Sequence, residues 1–388
     1  MYDHYYLQQS KAIYNQLKET ELQDTRDRAE KFLKQVVDPE KIKPEFRLHV
    51  ADLRYCLSHY QRLLDAEEKI LANAPYEIKT KMEKELLTIY GDKIVDDINH
   101  YAKLMEPLCQ GLSPAEHFIY KTYFQEQLLG FVTFCSAFST RAILKPHGYA
   151  GDFIMMEMLC DDNVYVGKTL FEKCCHRFSV TSPSGAPVKN RLKVMYDVLV
   201  ATIQAALKSK DTVRVLDLAC GPSIPFQHFM TTPESNQVEA FFLDQDTDAI
   251  ERLQHRLRNL QEQYQRRTRF AFFNQPIQKM LSDPETMGQL NGQDLIISSG
   301  LFDYLDDNLS KMLLQVLYSM LNPKGVLLVG NLCPAETTKI FQWYVNEWPL
   351  NFRTREELAA LAPADSKPEI LAEELGFNLF LKVIKNDY

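Results

Sequence analysis

Residues 213–226 read VRVLDLACGPSIPF. A run of branched apolar residues ends on an acid, Asp217, and turns at once through Ala219, Cys220, Gly221 and Pro222. The run has the composition of a strand buried on both faces. In a doubly wound sheet, ligands lie outside the carboxyl ends of the strands, where a glycine turn lets them approach the backbone. A dinucleotide site would need G-x-G-x-x-G to cradle a pyrophosphate on a helix N-terminus, and a P-loop would need Gly-Lys-Ser/Thr. Neither is present in this stretch, so the turn suits a nucleoside that carries no phosphate.

Outward from this strand the same pattern recurs. VEAFFL, TRFAFF, DLIIS and GVLLVGN read as further buried parallel strands, separated by the amphipathic stretches TDAIERLQHRLRNLQEQY and NLSKMLLQVLYSML. This predicts a doubly wound α/β sheet over residues 187–388. Upstream, SKAIYNQLKETELQDTRDRAEKFLKQVV, PEFRLHVADLRYCLSHYQRLLDAEEKIL and AEHFIYKTYFQEQLLGFVTFCSAF carry apolar residues at helical spacing, with breaks at DPEK, NAPYE and GLSPAE. Residues 1–140 therefore read as an all-α domain, and 141–186 as a lid or linker around HGYAGD.

The 388 residues, 45% hydrophobic and 25% charged, suffice for two cored domains. A net charge of -8 with scattered basic residues lacks the electrostatic footprint of a nucleic-acid binder and points to small-molecule partners. No apolar run is long enough to span a bilayer, and the start lacks a basic region followed by an apolar one, which reads as cytoplasmic. The eight cysteines have no paired spacing, so neither a disulfide framework nor a local metal site is expected, and no metal is assigned.

The strand ends supply candidate ligands in order. Asp244, with Gln245 beside it, closes the second strand, where its carboxylate suits both hydroxyls of a ribose. Asn274 and Gln275 follow the third, with amides able to read an adenine edge, and Ser299, Gly300 and Leu301 follow the fourth. Helix capping is the competing role for Asp217, near Ser223, and for Asp244, before DQDTDAIERL, since Asp is a preferred cap.

VLDLACGPS, FFLDQD, FAFFNQ, DLIISSGLFDYL and MLNPKGVLLVGN together resemble the motifs of class I S-adenosylmethionine-dependent methyltransferases, over about residues 187–385. The resemblance implies a Rossmann-like methyltransferase sheet ending in an antiparallel strand pair, with S-adenosylmethionine as cofactor. Asp217 would face the cofactor's ammonium, the Ala219–Gly221 backbone would pass beneath it, and Asp244 would hold its ribose. Ala219 and Ser223 stand where the family's glycine pattern has its first and last glycines, which implies a tighter turn. RAILKPHGYAGDFIMMEML, with EWPLNFRTREELAALA, resembles the bacterial family of extracellular-factor, or 3-hydroxypalmitic acid methyl ester, biosynthesis proteins, which joins a helical region to a methyltransferase domain. His147 stands where that family more usually has arginine.

A sulfonium must be desolvated for methyl transfer, and Tyr149 by cation-π attraction or Asp152 by charge could offset that cost; their alternatives are core packing for Tyr149 and a helix cap for Asp152. A hydroxyl or amine acceptor needs a general base, for which His147, Asp303 and Tyr304 are candidates, whereas a carboxylate or enolate needs none. Trp343, Tyr344 and Trp348 could wall a cavity for a small or lipid-like acceptor. Arg353 either holds an acid there or pairs with Glu357 beside a Thr354 capping box. The helical domain is a candidate surface for homodimerisation. Two other functions fit the same residues: use of the cofactor's aminobutyryl group, by intramolecular cyclisation, with release of methylthioadenosine, and cofactor sensing without catalysis in which the helical domain binds a protein partner.

Overall fold

The computed structural model describes residues 39–182, 185–334 and 339–387; the amphipathic stretch at 10–37 lies outside the described residues. The opening run forms strand β1 (Val213–Leu218), at the centre of a seven-stranded sheet. With β2 (Val238–Asp244), β3 (Arg269–Asn274), β4 (Gln293–Ser298), β5 (Leu321–Leu332), β6 (Glu369–Ala372) and β7 (Asn378–Ile384), the order is β3-β2-β1-β4-β5-β7-β6. β1 pairs in parallel with both β2 and β4, so the winding reverses at β1. β7 runs antiparallel to β5 and to β6. This is the Rossmann-like sheet, doubly wound and closed by a C-terminal antiparallel pair, that the motifs implied.

Alternation along the strands sorts the core into two layers, because successive side chains point to opposite faces. Leu216, Leu218, Leu243 and Ile296 face helix α12 (Asp307–Met320), through Leu313, Leu314 and Leu317. Val215, Phe242, Leu295 and Ile297 face α7 (Ala186–Ala206), α8 (Ile224–Phe229) and α9 (Thr247–Gln263).

The helical part packs α1 (Pro44–Leu71), α2 (Tyr76–Met105), α3 (Pro114–Leu128) and α6 (Leu170–Thr181) around Phe46, Tyr120, Phe124 and Phe171. α3 is shorter than its apolar spacing suggests. At Gly130 the chain relaxes into a π-helical turn, Leu129–Thr133, before Ser136 caps α4 (Ala137–Leu144) with its side chain. The breaks at 73–77 and 111–116 fall where the structure has them.

The helical core is completed from a distant part of the chain. A π-helical turn after β5, Lys339–Val345, inserts Ile340, Phe341, Tyr344 and Val345 into it. Tyr344 is 1% exposed, packs against Phe46 and Phe124, and meets His117 Nδ1 at 3.0 Å through its hydroxyl. Trp343 packs edge-on against His117. Neither lines the cavity described below, which corrects the acceptor-wall assignment of both: the turn points them into the helices.

Tyr344→Ala should therefore destabilise the protein by about 3–5 kcal/mol, as for a large aromatic removed from a core. Urea denaturation checks this; a loss under about 1 kcal/mol would place the ring outside the core.

Candidate active site

A cavity of about 700 Å³ opens outside the carboxyl ends of β1, β2 and β4. Its floor is the turn after β1. Ala219, Gly221 and Ser223 all adopt left-handed backbone conformations, at φ 52°, 48° and 44°. Two of these three are not glycine, so the turn is strained and needs outside support. That support comes from β2: the Cys220 amide donates to Leu243 O at 3.1 Å, and the Gly221 amide to Asp244 Oδ2 at 2.8 Å.

Asp244 is 93% buried, with its other oxygen accepting from the Asp246 amide at 3.0 Å. Burial raises its pKa above the ordinary carboxylate range, and the two amides oppose that rise. It is not the cap of α9; Asp246 is. Asp217 is equally buried, and its Oδ2 accepts from the Ser223 hydroxyl at 2.5 Å. Among the described residues its Oδ1 is buried with no partner, and no side-chain cap bond joins it to α8. Burial pushes the Asp217 carboxyl up to about 7 despite that hydroxyl.

Gln245, Gln275, Ser299 and Gly300 also line the cavity. Asn274 does not. Its amide donates to the carbonyls of Asp244 and Gln245 and its oxygen accepts from Thr247, bracing the loop from outside. The wall near Gln275 is apolar, built by Ile277, Met287, Leu301 and Leu313.

The glycine-flanked loop covers one side of this space, and most of its polar side chains anchor it. Asp152 accepts from the Ile154 and Met155 amides, capping α5 (Phe153–Cys160), and from Arg141 Nε at 2.7–2.8 Å. Its charge is thus spent on a helix and an arginine, and it does not line the cavity, which corrects the cofactor contact assigned to it. His147 Nδ1 pairs with Asp246 Oδ2 at 2.9 Å and is likewise outside the lining, so it tethers the loop to α9 and is not placed as a base. His147, Asp246 and Asp248 bring candidate metal-ligand atoms within 4.8 Å of one another; Asp246 is already committed to the α9 cap and to His147. Tyr149 does line the cavity, with its hydroxyl 3.5 Å from Asp246 Oδ2.

Beyond β4, Tyr304 donates to Ala150 O at 2.7 Å and accepts from Trp348 Nε1 at 2.8 Å, and burial raises its pKa. The loop passes Trp348 so closely that a Cβ at Gly151 would lie 2.1 Å from the indole, and Gly151 also has φ 78°. Only glycine fits there. Tyr304 and Trp348 both line the cavity.

Asp303 lines it too, but its Oδ1 accepts from the Leu332 amide at 2.7 Å and Asn331 Nδ2 at 2.9 Å. Burial pushes its carboxyl up to about 7, opposed by that amide, Arg191 and Arg353. Arg353 makes neither of the contacts expected of it. It lies behind Asp303, 97% buried, bonded to Asp307 Oδ1 at 2.9 Å, to the carbonyls of Phe302 at 2.8 Å and Leu305 at 2.6 Å, and to Asn331 and Ser310. Glu357 instead closes the Thr354 capping box. The guanidinium fork staples the loop after β4 to the end of β5.

Sequence reading missed the wall contributed by α5 and α7: Phe153, Met156, Cys160, Arg191 and Met195. One signal was available. The buried stripe of α7 runs Val188, Arg191, Met195, Leu199, Ile203, placing an arginine where an apolar residue is expected.

No known family profile matches the chain. No curated protein matches it either. Solved structures with a similar fold include a "possible exported protein" from Bordetella parapertussis, 14% identical, covering 76% of this chain and 97% of the other, with a TM-score of 0.46. Magnesium protoporphyrin IX methyltransferase from Synechocystis PCC 6803 is 12% identical over 52% of this chain and 85% of its own, with a TM-score of 0.36. The DszA carbon methyltransferase is 11% identical over 92% and 93%, with a TM-score of 0.43. Among the described residues, no helix is long and apolar enough to cross a membrane.

The raised value of Asp217 has a direct consequence. Between pH 3.8, its ordinary value, and about 7, the folded chain holds a proton that the unfolded chain has lost. Stability therefore falls as pH rises through that window. Asp217→Asn should be as stable as wild type near pH 4 and more stable near pH 8, on the order of 2–4 kcal/mol at ~1.4 kcal/mol per pH unit. Urea denaturation of the ligand-free proteins checks it; a gap that does not widen with pH would mean that Asp217 is solvated.

Proposed function

We propose that the protein is an S-adenosylmethionine-dependent methyltransferase acting on a small or lipid-like acceptor bearing a carboxylate or hydroxyl. The observation that carries this reading is Asp244. A buried carboxylate at the end of β2, held by the amides of Gly221 and Asp246, lines a cavity at the point where strand order reverses. Each of its oxygens keeps a lone pair for a ribose hydroxyl. The apolar wall of Ile277, Met287 and Leu301, with Gln275 among it, suits a purine base. The orphaned Oδ1 of Asp217 suits a cation, which the cofactor's ammonium would provide.

The bound cofactor supplies an electrophilic methyl carbon on a sulfonium. The chain's own task is to align an acceptor with it and exclude water. The Tyr304 hydroxyl and the Trp348 indole hold Ala150 and Gly151 against the cavity, and Tyr149 puts a ring in the same wall. Of the three candidate bases, His147 is tied to Asp246 outside the cavity and the Tyr304 hydroxyl is bonded on both sides. Asp303 remains: with its carboxyl near 7 and lining the cavity, it would take the proton of a hydroxyl acceptor, and a carboxylate acceptor would leave it unused.

The finer reading, kinship with the extracellular-factor biosynthesis family, rests on the resemblance of the KPHGYAGD and WPLNFRT segments alone. They meet in space, with Trp348 packed on Gly151.

Asp244→Ala should weaken S-adenosylmethionine binding by about ten to a few hundredfold, the loss expected for one or two hydrogen bonds to a charged acceptor. Calorimetric titration decides it: binding within twofold of wild type would make Asp244 a support of the turn alone. Product analysis separates the chemistries, since methyl transfer leaves S-adenosylhomocysteine and use of the aminobutyryl group leaves methylthioadenosine.

A further inference from the structure

Two arginines are buried near the cavity, and they are treated differently by the fold. Arg353 has a partner for every nitrogen of its fork, which is how a structural arginine is accommodated. Arg191, 93% buried in the apolar stripe of α7, does not. Among the described residues its Nε is buried with no partner, Nη1 reaches only Ser299 O at 3.5 Å, and Nη2 only the Met156 sulfur at 3.3 Å. It lines the cavity, flanked by Gly300, where a Cβ would stand 3.3 Å from Nη1 and 3.7 Å from Asp303 Oδ2. Asp303 is near, with its Oδ2 toward Gly300, but among the described residues neither of its oxygens bonds the guanidinium, and its Oδ1 accepts from Leu332 and Asn331.

An unpaired guanidinium is strongly disfavoured inside a protein, and its planar fork matches a two-oxygen anion. We propose that Arg191 is the carboxylate-binding residue of the cavity. A carboxylate can come from the amino-acid end of the cofactor or from the acceptor. The first is favoured by Asp217, whose Oδ1 is also buried, unpartnered and in the same lining. An orphan carboxylate and an orphan guanidinium in one cavity are the complement of an α-amino-acid zwitterion. The assignment rests on the nucleoside-cofactor reading given above.

The test uses the full chain and compares wild type with Arg191→Met, which keeps the apolar stem, and Arg191→Lys, which keeps the charge. Titrations measure S-adenosylhomocysteine, its decarboxylated analogue, and methylthioadenosine, which lacks the amino-acid end and reports an intact nucleoside site. If Arg191 holds the cofactor's carboxylate, Arg191→Met loses about 10- to 100-fold for S-adenosylhomocysteine, Arg191→Lys loses less, and the other two ligands bind all three proteins alike. If the carboxylate belongs to the acceptor, all three nucleosides bind unchanged, and the thermal shift that dodecanoate gives wild type saturated with S-adenosylhomocysteine vanishes in Arg191→Met. Unchanged nucleoside binding together with no dodecanoate effect in wild type, or one equal in Arg191→Met, overturns the carboxylate site while leaving the cofactor reading standing. Equal losses for all three nucleosides would make Arg191 a support of the fold and also overturn it. A wild type that binds neither S-adenosylhomocysteine nor methylthioadenosine overturns the cofactor reading, and this assignment with it.

Discussion

The hydrogen bond from the Gly221 amide to the Asp244 carboxylate is the contact on which the site depends. The turn after β1 places Ala219, Gly221 and Ser223 in left-handed conformations, which a free peptide of this composition would not hold. A bond to a buried carboxylate, about 1.5–3 kcal/mol, is of the size needed to hold such a turn. The same carboxylate reaches onward: its other oxygen takes the Asp246 amide, and Asp246 caps α9 and pairs with His147. The cavity floor, the α9 cap and the covering loop are thus joined in one chain of charged contacts.

The loop at 147–152 shows how far chemical side chains can be diverted into structure. Asp152 serves α5 and Arg141, His147 serves Asp246, and the Tyr304 hydroxyl serves Ala150 and Trp348. Each could act on a sulfonium or an acceptor by its chemistry, and each but Tyr304 lies outside the lining. What reaches the cavity from the loop is the Tyr149 ring and the bare backbone at Gly151, whose missing side chain lets the indole of Trp348 close against it.

Satisfaction of hydrogen bonds sorts the buried charges into two groups. Asp152, Asp244 and Arg353 are bonded by backbone amides, carbonyls or an opposite charge, and they hold elements together. Asp217 and Arg191 keep an unpartnered atom beside the cavity, a cost that folding alone does not repay.

The five parallel strands, the reversal at β1 and the carboxylates at the ends of β1 and β2 were legible in the sequence, because strand and helix periods and strand-end residues are local patterns. So was the Thr354 capping box, which spans the four residues Thr354 to Glu357. Arg191 was legible in principle, as an arginine inside the apolar stripe of α7. Only the tertiary structure decided which of two chemically equivalent partners a side chain takes. Asp152 meets Arg141 and two helical amides in place of a cofactor; Arg353 meets Asp307, Asn331, the carbonyls of Phe302 and Leu305 and the Ser310 hydroxyl in place of Glu357 or an acid. Tyr344 enters the helical core from beyond β5 in place of walling a pocket. Spacing along a chain determines which residues share a face, but a charge or a ring is committed by whatever the packed chain brings within about 3–4 Å of it, and that distance has no local signature.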